Sequence, residues 1–258
     1  MSKIISVSGQ KGGCGKSSVT VIMASMLAYK YGKKVLVIDA DTSQHTIKVF
    51  RDIDIDLITP MPTGEKDENG QDLCTVQNWE IYDAVEALKE KGINSYEIVE
   101  VRLNCDEIIN LLEKRADDYD FVLLDLPGNL DNEDYFKVIR NADAIFVPFI
   151  VDPADFNSNF AFSKLLHDKF LQTTNSNIKD MYFFWNRFDP NVRKVMMQQM
   201  QAILKREMPK ASEIENRISN SGAMTNNKCR NTLCAPIGKY ESHGNIGTTI
   251  DEMCNKVL

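Results

Sequence analysis

Two lysines, Lys11 and Lys16, stand five residues apart in the string SGQKGGCGKSSVT (8–20), directly behind the apolar run Ile4, Ile5, Ser6, Val7. A glycine-rich turn between a strand and a helix can cradle phosphate on its backbone N–H groups, and a single ammonium then suffices to reach the terminal phosphates. In that chemistry Gly12, Gly13, Cys14 and Gly15 wrap the phosphates and Lys16 bridges the β- and γ-phosphates. Ser17 ligates Mg2+ through its hydroxyl, and Ser18 belongs to a first helical turn whose free N–H groups and positive dipole end favour an anion. Lys11 is surplus to this scheme, which makes it the informative residue.

The elements that must hold this loop are β-rich runs alternating with helical patterns. IISV (4–7), KVLVID (34–39), FVLLD (121–125), AIFVPFI (144–150) and MYFFW (181–185) are continuous apolar stretches, the mark of strands buried on both faces. They predict an α/β fold of three layers, doubly wound, with a mainly parallel sheet and helices on both faces, as one domain over residues 1–258. The helix behind the loop, about 17–31, is apolar almost all round and stops at Gly32, a natural terminator. Further helical patterns fall at about 80–91, 104–115, 131–141, 155–172 and 190–208. The last places Val192, Val195, Met196, Met200, Ile203 and Leu204 at helical spacing, and its methionine stripe is expected to be core packing. Residues 59–79, TPMPTGEKDENGQDLCTVQNW, are polar and rich in turn formers, as in a surface loop or insertion.

Apolar residues make up 43% and charged residues 26%, ordinary for a globular protein and unlike a disordered or fibrous chain. No apolar run reaches the length of a membrane span and the N-terminus carries no signal-peptide pattern, so a cytoplasmic protein without membrane insertion is expected. Six cysteines at 14, 74, 105, 229, 234 and 254 form no C-x-x-C pair, which predicts reduced, separately packed thiols. His45, His167 and His243 lack ligand spacing and are expected to pack or face solvent. The net charge of −7 divides into −12 over residues 1–160 and +5 over residues 161–258. A basic C-terminal part on an acidic body can face a polyanion.

An ordinary phosphate-binding string has glycine where Gln10 stands. That departure, with Lys11, is similar to the deviant Walker A motif of the ParA/MinD-type ATPases, and three later stretches extend the resemblance. VLVIDADTSQ (35–44) resembles the family's second motif, with Asp39 and Asp41 in place; FVLLDLPG (121–128) resembles its Walker B strand, with Asp125 near Mg2+ and Pro127-Gly128 opening a switch loop. FFWNRFD (183–189) is similar to the strand whose terminal Asn reads adenine, a role that falls to Asn186. The stretch Asp41-Thr42-Ser43-Gln44-His45 is one residue longer than the usual family pattern. Together with DLPG and CRNTLCAP (229–236), it looks most like the ParA-type ATPases of conjugative elements.

The resemblance implies a Mg2+-dependent ATPase with slow turnover, its cofactors ATP and Mg2+. It implies that Lys11 crosses a homodimer interface to the ATP of the other subunit and that Asp41 orients the attacking water, with Lys11, Lys16 and Asp41 forming the catalytic set. Ser17, Asp39 and Asp125 are the implied metal set. Partners would be nonspecific double-stranded DNA and a ParB-like adaptor, with the protein associated with the nucleoid. Arg193, Lys194, Lys205, Arg206, Lys210, Arg217, Lys228 and Arg230 are the candidate DNA contacts. Two other readings are a MinD-like membrane-associated ATPase, which needs an amphipathic C-terminal helix, and a carrier resembling nitrogenase iron protein, which needs cluster-ligating cysteines.

Overall fold

The computed structural model describes residues 2–41, 46–101, 104–128, 133–172, 176–189, 191, 194–241 and 245–258. The apolar runs become strands β1 (Lys3–Val7), β2 (Val35–Asp39), β6 (Phe121–Asp125), β7 (Ala144–Phe149) and β8 (Asp180–Phe188). Two more, β5 (Glu97–Glu100) and β9 (Ala211–Ser219), close the edges of one seven-stranded sheet in the order β5-β2-β6-β1-β7-β8-β9, every described pair parallel. The strand preceding the lysine loop is therefore the middle strand. Adjacent residues alternate between the two cores: Val35 and Val37 face one, Leu36 and Ile38 the other, and Phe121 and Leu123 are likewise opposed to Val122 and Leu124. This is why these strands read as unbroken apolar runs.

One core receives the buried faces of α4 (Cys105–Arg115), α5 (Glu133–Ile139), α6 (Pro153–Leu166) and α7 (Lys194–Glu207). The other receives α1 (Lys16–Ser25), which continues through a wider turn at Met26–Lys30, together with α8 (Ile246–Val257) and Ile47 of α2 (Thr46–Ile58). Of the stripe, Met200 and Leu204 are buried in the core and Met196 and Ile203 are partly buried against it, with Met197 buried beside them, whereas Val195 is exposed and lies off the packed face. His167 is buried beside Asp168, and five of the six cysteines are buried free thiols, with Cys74 exposed. His45, His243, Val192 and Arg193 lie outside the described residues, as do 42–45 and the start of the 131–141 helical pattern.

Within the segment expected to be a polar surface loop or insertion at 59–79 lies an exposed hairpin of β3 (Met61–Lys66) and β4 (Asp72–Thr75), leading into α3 (Trp79–Glu90). Asp67 makes the reversal: its carboxylate accepts from Asn69 N and Gln71 N at 2.9 and 2.8 Å, while Gly70 takes φ of 81°. Turn residues dominate the composition here, and the short exposed strands have no buried face to announce them.

The stretch 226–234 is fastened to α2 by a buried acid. Asp54 accepts from Thr232 N at 2.7 Å, Thr232 Oγ1 at 2.8 Å and Asn227 Nδ2 at 3.4 Å. Arg51, one turn earlier, donates to Thr232 Oγ1, Thr232 O and Tyr96 O, and Arg230 lies over the Phe50 ring. Asp54→Ala would strand Thr232 N and take away the carboxylate that Arg51 and Arg230 face, and is expected to cost about 2 kcal/mol in urea denaturation. A loss below about 1 kcal/mol would show that the fastening is dispensable.

Candidate functional site

Parallel register sets the site. Asp39 and Asp125 end neighbouring strands directly opposite each other, and Glu100 at the end of β5 lies opposite Asp39 on its other side. The loop from β1 opens at the same carboxyl edge of the sheet, in the crevice where open α/β sheets place ligands.

Left-handed backbone at Gly13 and Gly15, with φ of 72° and 93°, winds the loop into the start of α1. No side chain caps that helix, so its first-turn N–H groups remain available to an anion. Lys16 is only 7% exposed, and its Nζ donates to Lys11 O at 3.4 Å, so the loop curls around its own lysine. Ser17 and Ser18 follow in the first turn, Ser17 beside Asp125. Cys14 is buried, and burial pushes its thiol pKa up.

The two strand-end aspartates are short of partners. Among the described residues Ser17 is the one hydroxyl that approaches Asp125, at the margin of hydrogen-bond geometry, and burial pushes the pKa of Asp125 up to about 7, with Ser17 and Lys16 pulling down and Asp39 and Asp41 pushing further up. Asp39 Oδ2 accepts from Ile47 N at 3.1 Å while Oδ1 meets no partner among the described residues, and burial raises this acid as well. Buried carboxylate oxygens with few partners, beside a serine hydroxyl, are a donor set that fits a hard cation such as Mg2+. Asp41 lies two residues on, half-buried at the mouth.

Close backbone approach ties the surrounding loops to this one. A Cβ on Gly128 would come within 2.6 Å of Gln10 O, so the turn after β6 rests directly on the lysine loop. Asn186, at the end of β8, sits against Gly15; its Nδ2 donates to Cys14 O at 2.7 Å and its Oδ1 accepts from Arg187 N at 2.8 Å. The expected base-reading amide is thus also a brace for the loop, with one N–H and one lone pair remaining. Two residues the sequence did not mark complete the site, Asp155 and Asn159 on α6. Asn159 is buried and accepts from Gln10 N and Lys11 N, at 3.1 and 3.4 Å, and Asp155 forms an ion pair with Lys11. Their one available signal was an i, i+4 spacing behind Asp152-Pro153, and it was hidden among Asn157, Ser158, Ser163 and Lys164 of the same helix.

A family model for an AAA domain matches residues 2–179. The chain belongs to the ParA/MinD-type P-loop ATPases. Septum site-determining protein MinD of Synechocystis is 25% identical over 133 residues, 51% of this chain and 47% of that protein. The chain spans about half the length of the curated relatives it matches. Apo McdA of Cyanothece superposes with a TM-score of 0.63 at 15% identity, all of both chains covered. A plasmid partition protein of Borrelia burgdorferi gives 0.52 at 18%, covering 100% of this chain and 99% of that one. At these identities the superpositions speak for the shared P-loop fold alone.

The raised carboxyls of this P-loop ATPase carry a pH signature. An acid whose pKa rises on folding favours the folded state below its unfolded value, and that contribution is lost as pH climbs through the folded value. For Asp125 the window runs from about 4 to about 7, with Asp39 shifted in the same sense. The nucleotide-free protein is therefore expected to lose stability across that window by up to ~4 kcal/mol, and Asp125→Asn to be more stable at pH 7 with a flatter profile. Urea midpoints at several pH values check this; parallel profiles for the two proteins would contradict the assignment.

Proposed function

We propose that this protein is an ATP-driven dimerising switch that binds DNA without reading its sequence and partitions or positions a DNA cargo with a ParB-like adaptor. The observation that carries the reading is the contrast between the two lysines. Lys16 is enclosed by the loop, whereas the Lys11 side chain is 45% exposed and turned toward α6, outside the cradle. A second cation at the rim of a phosphate site finds its use when another subunit brings a phosphate to it, as an arginine finger does in trans.

In this mechanism Gly12, Gly13, Cys14 and Gly15 present their backbone to the phosphates of ATP, and the first turn of α1, with Ser17 and Ser18, adds its N–H groups. Lys16 holds the β- and γ-phosphates, and Asn186 braces the loop beside the base. Mg2+, held by Ser17 with Asp125 and Asp39, would supply charge neutralisation on the phosphates when bound. Asp41 at the mouth orients the attacking water, and the backbone of Gly128 against Gln10 lets the turn after β6 feel the loop's occupancy. Lys11 reaches the ATP of the partner subunit, so ATP joins two chains and hydrolysis parts them.

The structure narrows the candidate DNA surface. Lys228 pairs with Glu80, Arg217 lies over Phe188, and Arg230 is packed over Phe50, all within the chain. Exposed Lys194 and Lys205 on α7 are the better phosphate contacts, since Arg206 also touches Glu207 and Lys210 Nζ donates to Leu171 O at 2.7 Å. Ile246, Ile250, Met253, Cys254 and Val257 of α8 are buried in the core, which leaves that helix no apolar face for a bilayer. Among the described residues no helix is long and apolar enough to cross a membrane. Cys229 and Cys234 are buried and their thiols pushed up to about 12, a setting that opposes thiolate ligation of a cluster.

DNA dissociation with ATP and Mg2+ tests the reading. Asp41→Ala should hydrolyse slowly, stay dimeric and leave DNA more slowly than wild type, because two basic surfaces detach less readily than one. Binding should weaken about 10^3-fold or more between 50 and 200 mM salt if phosphate contacts carry it. An Asp41→Ala protein that never binds DNA, or leaves it as fast as wild type, would contradict the proposal.

A further inference from the structure

Strand β8 ends on a residue whose backbone does not suit its type. Phe183 and Trp185 face one core and Phe184 the other, so Asn186 falls on the Phe184 side and reaches Gly15. A regular strand would turn Arg187 back to the Trp185 side. Instead the strand bulges: Trp185 lies opposite Arg217 and Phe188 opposite Ser219, so β8 advances one residue further than β9, and within that step Arg187 takes φ of 51°. Left-handed backbone in a bulge is where glycine belongs, because a Cβ there crowds the following carbonyl. Asn186 Oδ1 holds the kink by accepting from Arg187 N at 2.8 Å.

The Arg187 side chain is exposed, and among the described residues its guanidinium makes no hydrogen bond or ion pair. It stands at the phosphate loop: burial raises the Cys14 thiol, and the charges of Lys16 and Arg187 are among the influences that pull it down. Nothing within the folded chain calls for arginine at this position, and a bulge beside a ligand site re-aims a side chain.

We propose that Arg187 binds the nucleotide, laying its guanidinium on the face of the base whose edge Asn186 meets. This rests on the reading of the loop as an ATP site with Asn186 at its base end. The phosphate end is already served by Lys16 and the uncapped first turn of α1. A planar, weakly hydrated guanidinium stacks on aromatic rings, and Phe188, the ring next to Arg187 in the chain, is already covered by Arg217. Stacking recognises a ring rather than its substituents, so Arg187 supplies affinity for the base and Asn186 its identity. Glycine would suit the backbone better and leave the base uncovered, which sets stability against binding at this one position.

Arg187→Gly relaxes the backbone and removes the side chain. Its thermal midpoint should be no lower than that of wild type, whereas calorimetry should show ATP and ADP bound about tenfold more weakly and inorganic triphosphate bound as tightly as before. Arg187→Gln keeps the length and the strained backbone, and should lose the same ATP affinity because the loss follows the guanidinium. If Arg187→Gly melts lower than wild type, the arginine is structural and the proposal falls. If ATP and inorganic triphosphate weaken alike, Arg187 serves phosphate and the stacking assignment is overturned. Lys16→Ala, measured beside them, separates the two claims. If it loses ATP and triphosphate while Arg187→Gly and Arg187→Gln bind ATP as wild type does, the ATP site stands and the role of Arg187 is wrong. If Lys16→Ala binds ATP normally, the ATP site falls and the proposal falls with it.

Discussion

Parallel pairing of β2 and β6 puts Asp39 and Asp125 side by side, about one strand spacing apart, inside the protein. Among the described residues Ile47 N and the Ser17 hydroxyl are what reach them, and neither ammonium nor guanidinium pairs with them directly. Burial raises the pKa of both acids, and a neighbouring carboxylate adds to it, Asp39 for Asp125 and Glu100 for Asp39. The rest of the site answers the same concentration of negative charge. Lys16 is curled over it from the loop, Ser17 sits against Asp125, and a divalent cation would compensate what they leave.

A single neighbouring set of contacts governs the second lysine. The loop is short, so its backbone direction at Lys11 is settled by whatever touches Gln10 and Lys11, and that is Asn159 below and the turn at Gly128 beside it. Each contact comes from a different strand connection, β7 to α6 in one case and the segment after β6 in the other. Movement in either is passed to the base of Lys11 without a long chain of intermediates. Asp54 extends the linkage outward, fastening the stretch 226–234 to the helix that follows Asp39 and Asp41.

The central strands and the loop were legible in the sequence because their chemistry is local. Buried parallel strands must be apolar on both faces, and a phosphate loop must carry glycine and lysine at fixed spacing. The edges were not legible for the complementary reason. In β9 buried Ile214 and Ile218 alternate with exposed residues, and in β5 Ile98 and Val99 are only half-buried, so neither contains an unbroken run. Helix α2 has buried Ile47 and Asp54 but exposed Val49, Ile53 and Ile55, a pattern whose apolar periodicity points partly to the wrong face. Asp155 and Asn159 escaped notice because their significance lies in a loop more than a hundred residues away, reached only through the sheet order that places β7 beside β1.

The account turns on where Lys11 goes when ATP binds. The most direct measurement is the structure of the Asp41→Ala protein with ATP and Mg2+, which should trap the loaded state. The account predicts a face-to-face dimer in which Lys11 has left Asp155 and its Nζ lies at hydrogen-bond distance, ~3 Å, from a phosphate oxygen of the partner subunit's ATP. A loaded protein in which Lys11 remains on Asp155, or turns to the phosphates of its own subunit, would contradict it.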